Sequence, residues 1–389
     1  MNNSFGPKYI VKVSDPSIGM KGFLVIDNTA LGPGKGGIRM TADVSEEEVR
    51  RLARAMTWKN ALAGIPFGGA KAGMVWEGGT PERKKQFVQS FARLLRPFVP
   101  RWYIAGPDVN SGEREMQWFV EATGNFHSAT GKPANLCMKV FSKPGEKCGL
   151  PHEFGSTGFG VAQATRVAAE ALNIPLKNAT VAIHGFGNVG SFAYKILSQM
   201  GARIIALADS KVALISPNGF DPSQLKKIID TRGSLGKYRG ARRVSPEKFW
   251  AESVDILIPA SVTDVINESN YRLIKTKIIV EAGNIPMREH IEEKLWRQGI
   301  LIVPDFVANA GGVISSYAEY RGYNPKKMFD LVERKITKSA RLVLERSIKT
   351  KKNPREVAMS IAKERIQEAM IKKQKPNPNG SKKVENNNY

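Results

Sequence analysis

Residues 180–209 read TVAIHGFGNVGSFAYKILSQMGARIIALAD. Thr180–His184 is a short β-rich run that meets Gly185-Phe186-Gly187-Asn188-Val189-Gly190. A helical stretch follows to Met200. A second strand runs from Arg203 to Ala208, with Asp209 at its end. A lone Gly-x-Gly-x-x-Gly carries little. Set between a strand and a helix, with an acid about twenty residues further on, it is the fingerprint of dinucleotide binding. The first glycines admit a pyrophosphate, and the helix N-terminus stabilises its charge. Asp209 is placed to accept from a ribose hydroxyl. Ser210 and Lys211 beside it suit the 2′-phosphate of NADP instead, so both NAD and NADP stay open.

Downstream, strands are expected at Val254–Ile258, Lys277–Glu281 and Ile300–Val303, mostly separated by helical segments. This alternation predicts a parallel, doubly wound sheet. After Asn309 the chain reads as mainly helical to about Lys372. Residues 373–389 are a basic-polar tail that cannot bury a core and is expected to be disordered. Asn309 and Ser316 lie seven apart in ANAGGVISSY, nearly two helical turns, which would put both on one face.

Upstream, residues 5–30 read as short strands. Ser45 and Glu48 form a capping-box pattern, and Val49, Leu52, Ala53 and Met56 follow helical spacing. Lys59 lies one turn further on. Thr80-Pro81 opens another helix, striped by Phe87, Phe91, Leu94 and Leu95. A strand at Trp102–Ala105 leads through Gly106-Pro107 to Asp108, a position that aims a carboxylate into a cleft, and Ser111 is placed to cap the next helix. Residues 131–155 have no period and read as a loop or domain junction, followed by a helix from about Gly158 to Leu172. Three lysines stand out in residues 35–73: Lys35 and Lys71 in glycine-rich turns, and Lys59 within a helix. Together they suggest a pocket for a dianion. A lysine enclosed among other cations has its charged form disfavoured, and the neutral amine can activate water.

The chain has 389 residues, 42% hydrophobic, enough for two ordinary domains. No apolar run approaches the ~20 residues of a membrane helix. The N-terminal stretch lacks the apolar block of a secretory signal, so a cytoplasmic location is expected. The net charge is +23, and residues 322–389 hold eighteen Lys and Arg against seven Asp and Glu. No aromatic-interleaved nucleic-acid motif accompanies this charge, and solvated basic helix faces account for it. The two cysteines, Cys137 and Cys148, with His127 and His152, have the residue types of a zinc site. Their spacing departs from the short Cys knuckle, so no metal is expected. A disulfide is not expected in a reducing cytosol. Free structural cysteines are the default.

The stretches GPGKGGIRM, MTWKNALAGIPFGGAKAGM, GPDVNS, TGKP, HGFGNVG, ADS, ILIPAS and VPDFVANAGGVISSY occur in this order. In them the chain resembles the glutamate dehydrogenase family, within the wider Glu/Leu/Phe/Val dehydrogenase group. The resemblance implies a two-domain α/β fold with C-terminal helices. Residues 1–155 would be the substrate-binding and oligomerisation domain. Residues 156–310 would be a Rossmann-like dinucleotide-binding domain, and residues 311–372 helices returning to the first domain. Lys71 would be the catalytic base toward water, and Asp108 the proton relay to the amine. Lys59 would bind the α-carboxylate, and Lys35 and Ser316 the side-chain carboxylate. Thr157 and Asn309 would lie near the nicotinamide. Gly185, Gly187, Asn188, Val189, Gly190, Asp209 and Asn284 would complete the NAD or NADP site. Relatives acting on leucine, phenylalanine or valine have apolar residues where Lys35 and Ser316 stand. The implied reaction is reversible oxidative deamination of L-glutamate to 2-oxoglutarate and ammonia, by a homo-oligomer, most often a hexamer. The rivals are another amino-acid dehydrogenase and a non-catalytic nucleic-acid-binding homologue.

Four places depart from the family pattern. TGKP is followed by 23 residues without a GG pair before the next TG. Phe159 stands where Arg is usual, EAGNIPM replaces EGANGPT, and Ala72 replaces Gly.

Overall fold

The computed structural model describes residues 5–138, 147–151, 154–231 and 233–374. The first sheet is built from β1 (Tyr9–Asp15), β2 (Met20–Asn28), β3 (Gly34–Lys35), β4 (Ile38–Thr41), β5 (Gly68–Val75) and β6 (Tyr103–Ile104). Its order is β1-β2-β5-β3-β6, with β4 also on β5. The β1–β2 and β2–β5 pairs are antiparallel, and β3 and β4 run parallel to β5. Helices α1 (Glu46–Leu62), α2 (Pro81–Leu94) and α3 (Glu113–Thr123) accompany this sheet.

Capping chemistry starts these helices. Ser45 Oγ accepts from the Glu48 N–H at 3.2 Å, and Thr80 Oγ1 from that of Arg83 at 3.2 Å. Only half of the expected box forms at α1, because the Glu48 carboxylate turns to Arg39 at 2.5 Å. Ser111 does not cap α3. Gly112 holds that position, while the Ser111 hydroxyl donates to the Ile38 carbonyl and accepts from the Asp108 N–H at 3.0 Å.

Lys35 and Lys71 also depart from the expectation. Both lie in strands, β3 and β5, rather than in glycine turns. Gly69 and Gly73 of β5 serve helix packing instead. A Cβ on Gly69 would stand 2.0 Å from Thr57 Oγ1, and one on Gly73 2.6 Å from Val49. They let α1 lie directly on the strand, and the period of two puts Lys71 on that same face. On α1 the buried residues are Val49, Ala53, Thr57, Asn60, Ala61 and Leu62. Leu52 and Met56 are only half-buried, because polar anchors replace them. Thr57 Oγ1 donates to Asp27 at 2.5 Å, and Asn60 Nδ2 to the Gly68 carbonyl at 2.6 Å.

A two-stranded ribbon, β7 (Cys137–Met138) and β8 (Lys147–Cys148), precedes α4 (Ser156–Ala171). Cys137 and Cys148 are opposite one another, Cα to Cα 4.0 Å, and form a disulfide. The expectation of free cysteines is overturned: antiparallel pairing sets the two side chains side by side. Both thiols are consumed, so neither is a zinc ligand. His152 lies outside the described residues. No group of three or more His, Cys, Asp or Glu suited to a metal occurs among the described residues.

The second sheet follows: β9 (Thr180–His184), α5 (Asn188–Gln199), β10 (Arg203–Ala208), β11 (Ala213–Ile215), α6 (Pro222–Asp230), β12 (Arg242–Val244), α7 (Pro246–Trp250), β13 (Ser253–Pro259), β14 (Lys275–Val280), α8 (Glu289–Arg297) and β15 (Leu301–Val303). Its order is β12-β11-β10-β9-β13-β14-β15. Five strands are parallel, and β11 and β12 extend the edge antiparallel. The expected parallel, doubly wound core is present, and the two edge strands make the sheet mixed. The 209–212 link is too short for a parallel crossover. The chain reverses its winding at β9, which opens a crevice at the strand's C-terminal end.

Four helices close the described residues: α9 (Asp305–Ala308), α10 (Gly311–Tyr320), α11 (Pro325–Thr350) and α12 (Pro354–Gln374). They share one apolar core with Leu62 and Phe67 of the N-terminal part and with Val181 and Ile256 of the second sheet. Arg365 of α12 donates to the Leu62 carbonyl at 2.6 Å. Residues 373 and 374 end α12, and the rest of the expected tail, 375–389, lies outside the described residues.

Candidate active site

The three lysines converge. Lys71 on β5 is buried, with Nζ against Asp108 Oδ2. Asp108 reaches it from the turn after β6, and its other oxygen accepts from Arg39 of β4 at 3.3 Å. Burial, and then the charges of Arg39, Lys59 and Lys35, lower the Lys71 amine to about 7. The Glu48 carboxylate pulls in the opposite direction. Lys35 is also buried and lowered to about 7, by burial first and by Lys132, with Glu319 opposing. Its Nζ donates to the Ala105 carbonyl at 2.7 Å. Burial here thus favours the neutral amine over a full charge left unpaired.

Lys59 is half-buried and donates to Asn309 Oδ1 at 2.6 Å. Burial lowers its pKa, and Asp305 raises it. Asn309 is oriented by its own amide, which donates to the Gly283 carbonyl and to Asn284 Oδ1, each at 3.1 Å. This chain of contacts joins the first sheet's helix to the end of β14. Asn309 does not share a helix with Ser316. It is the C-cap of α9, and α10 starts afresh at Gly311. A Cβ on Gly311 would stand 2.1 Å from the Ser156 carbonyl. That close crossing brings the start of α10 onto Thr157. Ser316 is buried on α10, one turn before Glu319.

In the crevice beyond β9, Gly185 takes φ +105°, and a Cβ there would meet Ala260 at 2.7 Å. Gly190 closes onto the Gly185 carbonyl, where a Cβ would stand 1.8 Å away. At Gly187, exposed, a Cβ would meet nothing within 4 Å. Gly187 is the N-cap of α5 and brings no side chain to its first turn. Two tight glycines with an open one between them, Asn188 and Val189 beginning the helix, fit a pyrophosphate. Asp209 is differently placed. Its Oδ1 accepts from the N–H groups of Lys211 and Val212 (2.8 and 2.9 Å). Its Oδ2 accepts from Ser234 Oγ and Leu235 N–H (both 2.7 Å). A ribose hydroxyl would be a fifth donor. Ser210 and Lys211 are exposed beside it.

Two models of one family match the chain. "Glu/Leu/Phe/Val dehydrogenase, dimerisation domain" covers residues 7–125, and "Glutamate/Leucine/Phenylalanine/Valine dehydrogenase" covers residues 149–374. The chain belongs to the glutamate/leucine/phenylalanine/valine dehydrogenase family. Among its relatives in this family is the NADP-specific glutamate dehydrogenase of Saccharolobus shibatae, 37% identical over 75% of this chain and 69% of that one. The NAD-specific glutamate dehydrogenase of Clostridioides difficile is 35% identical over 80% and 75%. The crystal structure of glutamate dehydrogenase from Peptoniphilus asaccharolyticus superposes with a TM-score of 0.80 at 28% identity, over 95% of this chain and 92% of that one.

Set against the family pattern, the departures acquire physical reasons. Phe159, where Arg is usual, makes an edge contact with Phe329 of α11, ring centroids 5.1 Å apart. Ile285 stands where EGANGPT has Gly, and it takes φ +48°, a conformation costly for a β-branched residue. Its N–H donates to Asp305 at 3.0 Å, which holds it there. Arg39, Asp305, Lys132 and Glu319 were missed by sequence reasoning. Arg39 lies within GGIRM, and the signal for it was an arginine alternating with apolar residues beside Lys35. The other three become visible only through long-range contacts.

Proposed function

We propose that this chain catalyses the NAD(P)-dependent reversible oxidative deamination of L-glutamate to 2-oxoglutarate and ammonia. The observation that carries the reading is the Lys71–Asp108 pair within a cluster of three lysines of lowered pKa. Glutamate and 2-oxoglutarate each bring two carboxylates. Lys59 takes the α-carboxylate, exchanging Asn309 Oδ1 for it. Lys35 and Ser316 take the distal one, and protonation of Lys35 accompanies the arriving anion. The nicotinamide, when bound, supplies the hydride acceptor for the α-hydrogen. Lys71, as the neutral amine, takes a proton from water attacking the substrate imine. Asp108 carries protons to and from the departing amine, and Arg39 holds its carboxylate in place.

The division at residues 155 and 310, with the first unit making the oligomer contacts and residues 311–372 returning to it, belongs to the same proposal. So do a homohexamer and a cytoplasmic location. The described helices include none long and apolar enough to cross a membrane. On the cofactor side, Gly185, Gly187, Asn188, Val189 and Gly190 would hold the pyrophosphate. Thr157, Asn284 and Asn309 would border the nicotinamide, and Asp209 with its neighbours the ribose.

A steady-state assay with NAD and NADP against glutamate, leucine, valine and phenylalanine tests the reading. Glutamate is expected to dominate. Lys71→Ala is expected to remove at least 10³-fold of kcat while the fold survives, the size expected for losing a positioned general base. A fully active variant would sink the mechanism, and salt-sensitive nucleic-acid binding without turnover would replace it with the non-catalytic reading.

A further inference from the structure

The pocket's selectivity rests on a lysine that makes no ion pair of its own among the described residues. Lys35 is 3% exposed, and its Nζ donates to a backbone carbonyl. Behind it lies a sealed ion pair. Lys132 Nζ stands 2.6 Å from Glu319 Oε1, with both side chains essentially inaccessible. Glu319 Oε2 accepts from the Gly131 and Leu150 N–H groups at 2.8 and 2.9 Å. Lys132 also donates to the Ala129 carbonyl at 2.5 Å and lies 4.0 Å from the Phe126 ring centroid. Glu319 is one turn after Ser316 on α10, so one helix brings both the hydroxyl and the acid.

We infer that Glu319 is a positioning residue for substrate choice: paired with Lys132 behind the pocket, it favours the ammonium form that Lys35 takes up as the distal carboxylate arrives. This rests on the reading of Lys35 given above. The charges facing Lys35 are few. Glu319 of α10 favours its charged form, while Lys132, from the segment before the ribbon, disfavours it. Lys71 of β5 is a further cation in reach. Tyr103 of β6, whose hydroxyl donates to the Gly36 carbonyl at 3.1 Å, is held neutral by burial. Without water to screen them, these interactions act at short range in a low dielectric. Glu319 is thus the anion that opposes the two neighbouring cations and eases protonation of Lys35 as the substrate arrives. An amino acid without a distal carboxylate draws nothing from this arrangement.

The test compares Glu319→Gln, Lys132→Met and Lys35→Met in the full chain, with glutamate and with norvaline, which has the same length but an apolar end. In Glu319→Gln the pH above which the glutamate KM climbs is expected to fall by about one unit. The KM at pH 8 should then rise roughly tenfold, with kcat and norvaline kcat/KM changed less than about threefold. Lys132→Met removes an opposing cation and is expected to move the same pH upward, a direction that mere loosening of the pocket would not produce. If Glu319→Gln does not fold, the direction in Lys132→Met decides. A KM profile unmoved in both, or displaced downward in both, overturns the inference. Lys35→Met separates the two claims: an unchanged glutamate KM there overturns the reading of Lys35 itself. A raised KM there with unmoved Glu319 and Lys132 profiles overturns only the role of Glu319.

Discussion

Lys35, Lys59 and Lys71 are worth more together than separately, because burial has taken from each part of the affinity for its own proton. Their ordinary value is 10.5, and Lys35 and Lys71 are lowered to about 7. Between those limits the folded chain binds fewer protons than the unfolded one, so their contribution to stability rises with pH across that window. A dianion seated on Lys35 reverses the shift and draws a proton in. Calorimetry of 2-oxoglutarate binding at pH 8, in two buffers of different ionisation heat, is expected to show net uptake of roughly one proton. Release, or no exchange, would contradict the low values. These lysines were legible in the sequence as a contiguous trio. The charges Asp305 and Glu319 that act on them were not, because an electrostatic contact between distant positions leaves no local pattern.

The ribbon of β7 and β8 is the element that sequence reasoning placed least well. Aperiodic residues rich in Gly, Pro and Lys read as a junction, and two cysteines in a cytoplasmic chain read as thiols. The strand register instead puts Cys137 opposite Cys148, eleven positions apart. The disulfide also bears on the site, since Leu150 follows Cys148 by two residues and donates to Glu319. In the chain-entropy account, closing a loop of this length constrains the unfolded chain by about 3 kcal/mol. Cys137→Ser with Cys148→Ser is expected to lose up to that amount in denaturant unfolding. The Leu150 amide should also exchange its hydrogen faster than in the parent. Unchanged exchange at Leu150 would show that the ribbon is held without the bond.

Across the whole molecule, the returning C-terminal helix ties the second sheet to the first. Arg355, in the first turn of α12, meets Glu281 after β14 at 2.6 Å, Asp305 of α9 at 3.2 Å, and Glu292 of α8. Three carboxyls share one guanidinium, and burial pushes Glu281 and Glu292 upward. Arg355→Met removes the cation and leaves the acids buried, a change of about 3–5 kcal/mol. The sign with pH follows: carboxyls raised in the fold stabilise it below their unfolded values and cease to as pH rises. The loss should therefore be larger at pH 8 than at pH 5, as read from thermal unfolding at the two values. A loss independent of pH would mean the acids are not protonated in the variant.

Local order determined what the sequence showed on its own. The strand–Gly-x-Gly-x-x-Gly–helix unit, the caps at Ser45 and Thr80, and the order of the family's stretches depend on neighbours within a few turns. They placed the dinucleotide crevice, the lysine trio and Asp108. Only the tertiary structure decided that Lys71 lies in a strand and that Asn309 is split from Ser316 by a break before Gly311. It also decided that the Asp209 carboxylate is already occupied, and that Cys137 and Cys148 are joined. Each of these depends on which distant backbone comes close: α1 on Gly69, α4 on Gly311, the 234–235 turn on Asp209, one ribbon strand on the other. Close approach between segments far apart in the chain is set by packing and hydrogen-bond satisfaction over the whole fold, and no run of residues records it alone.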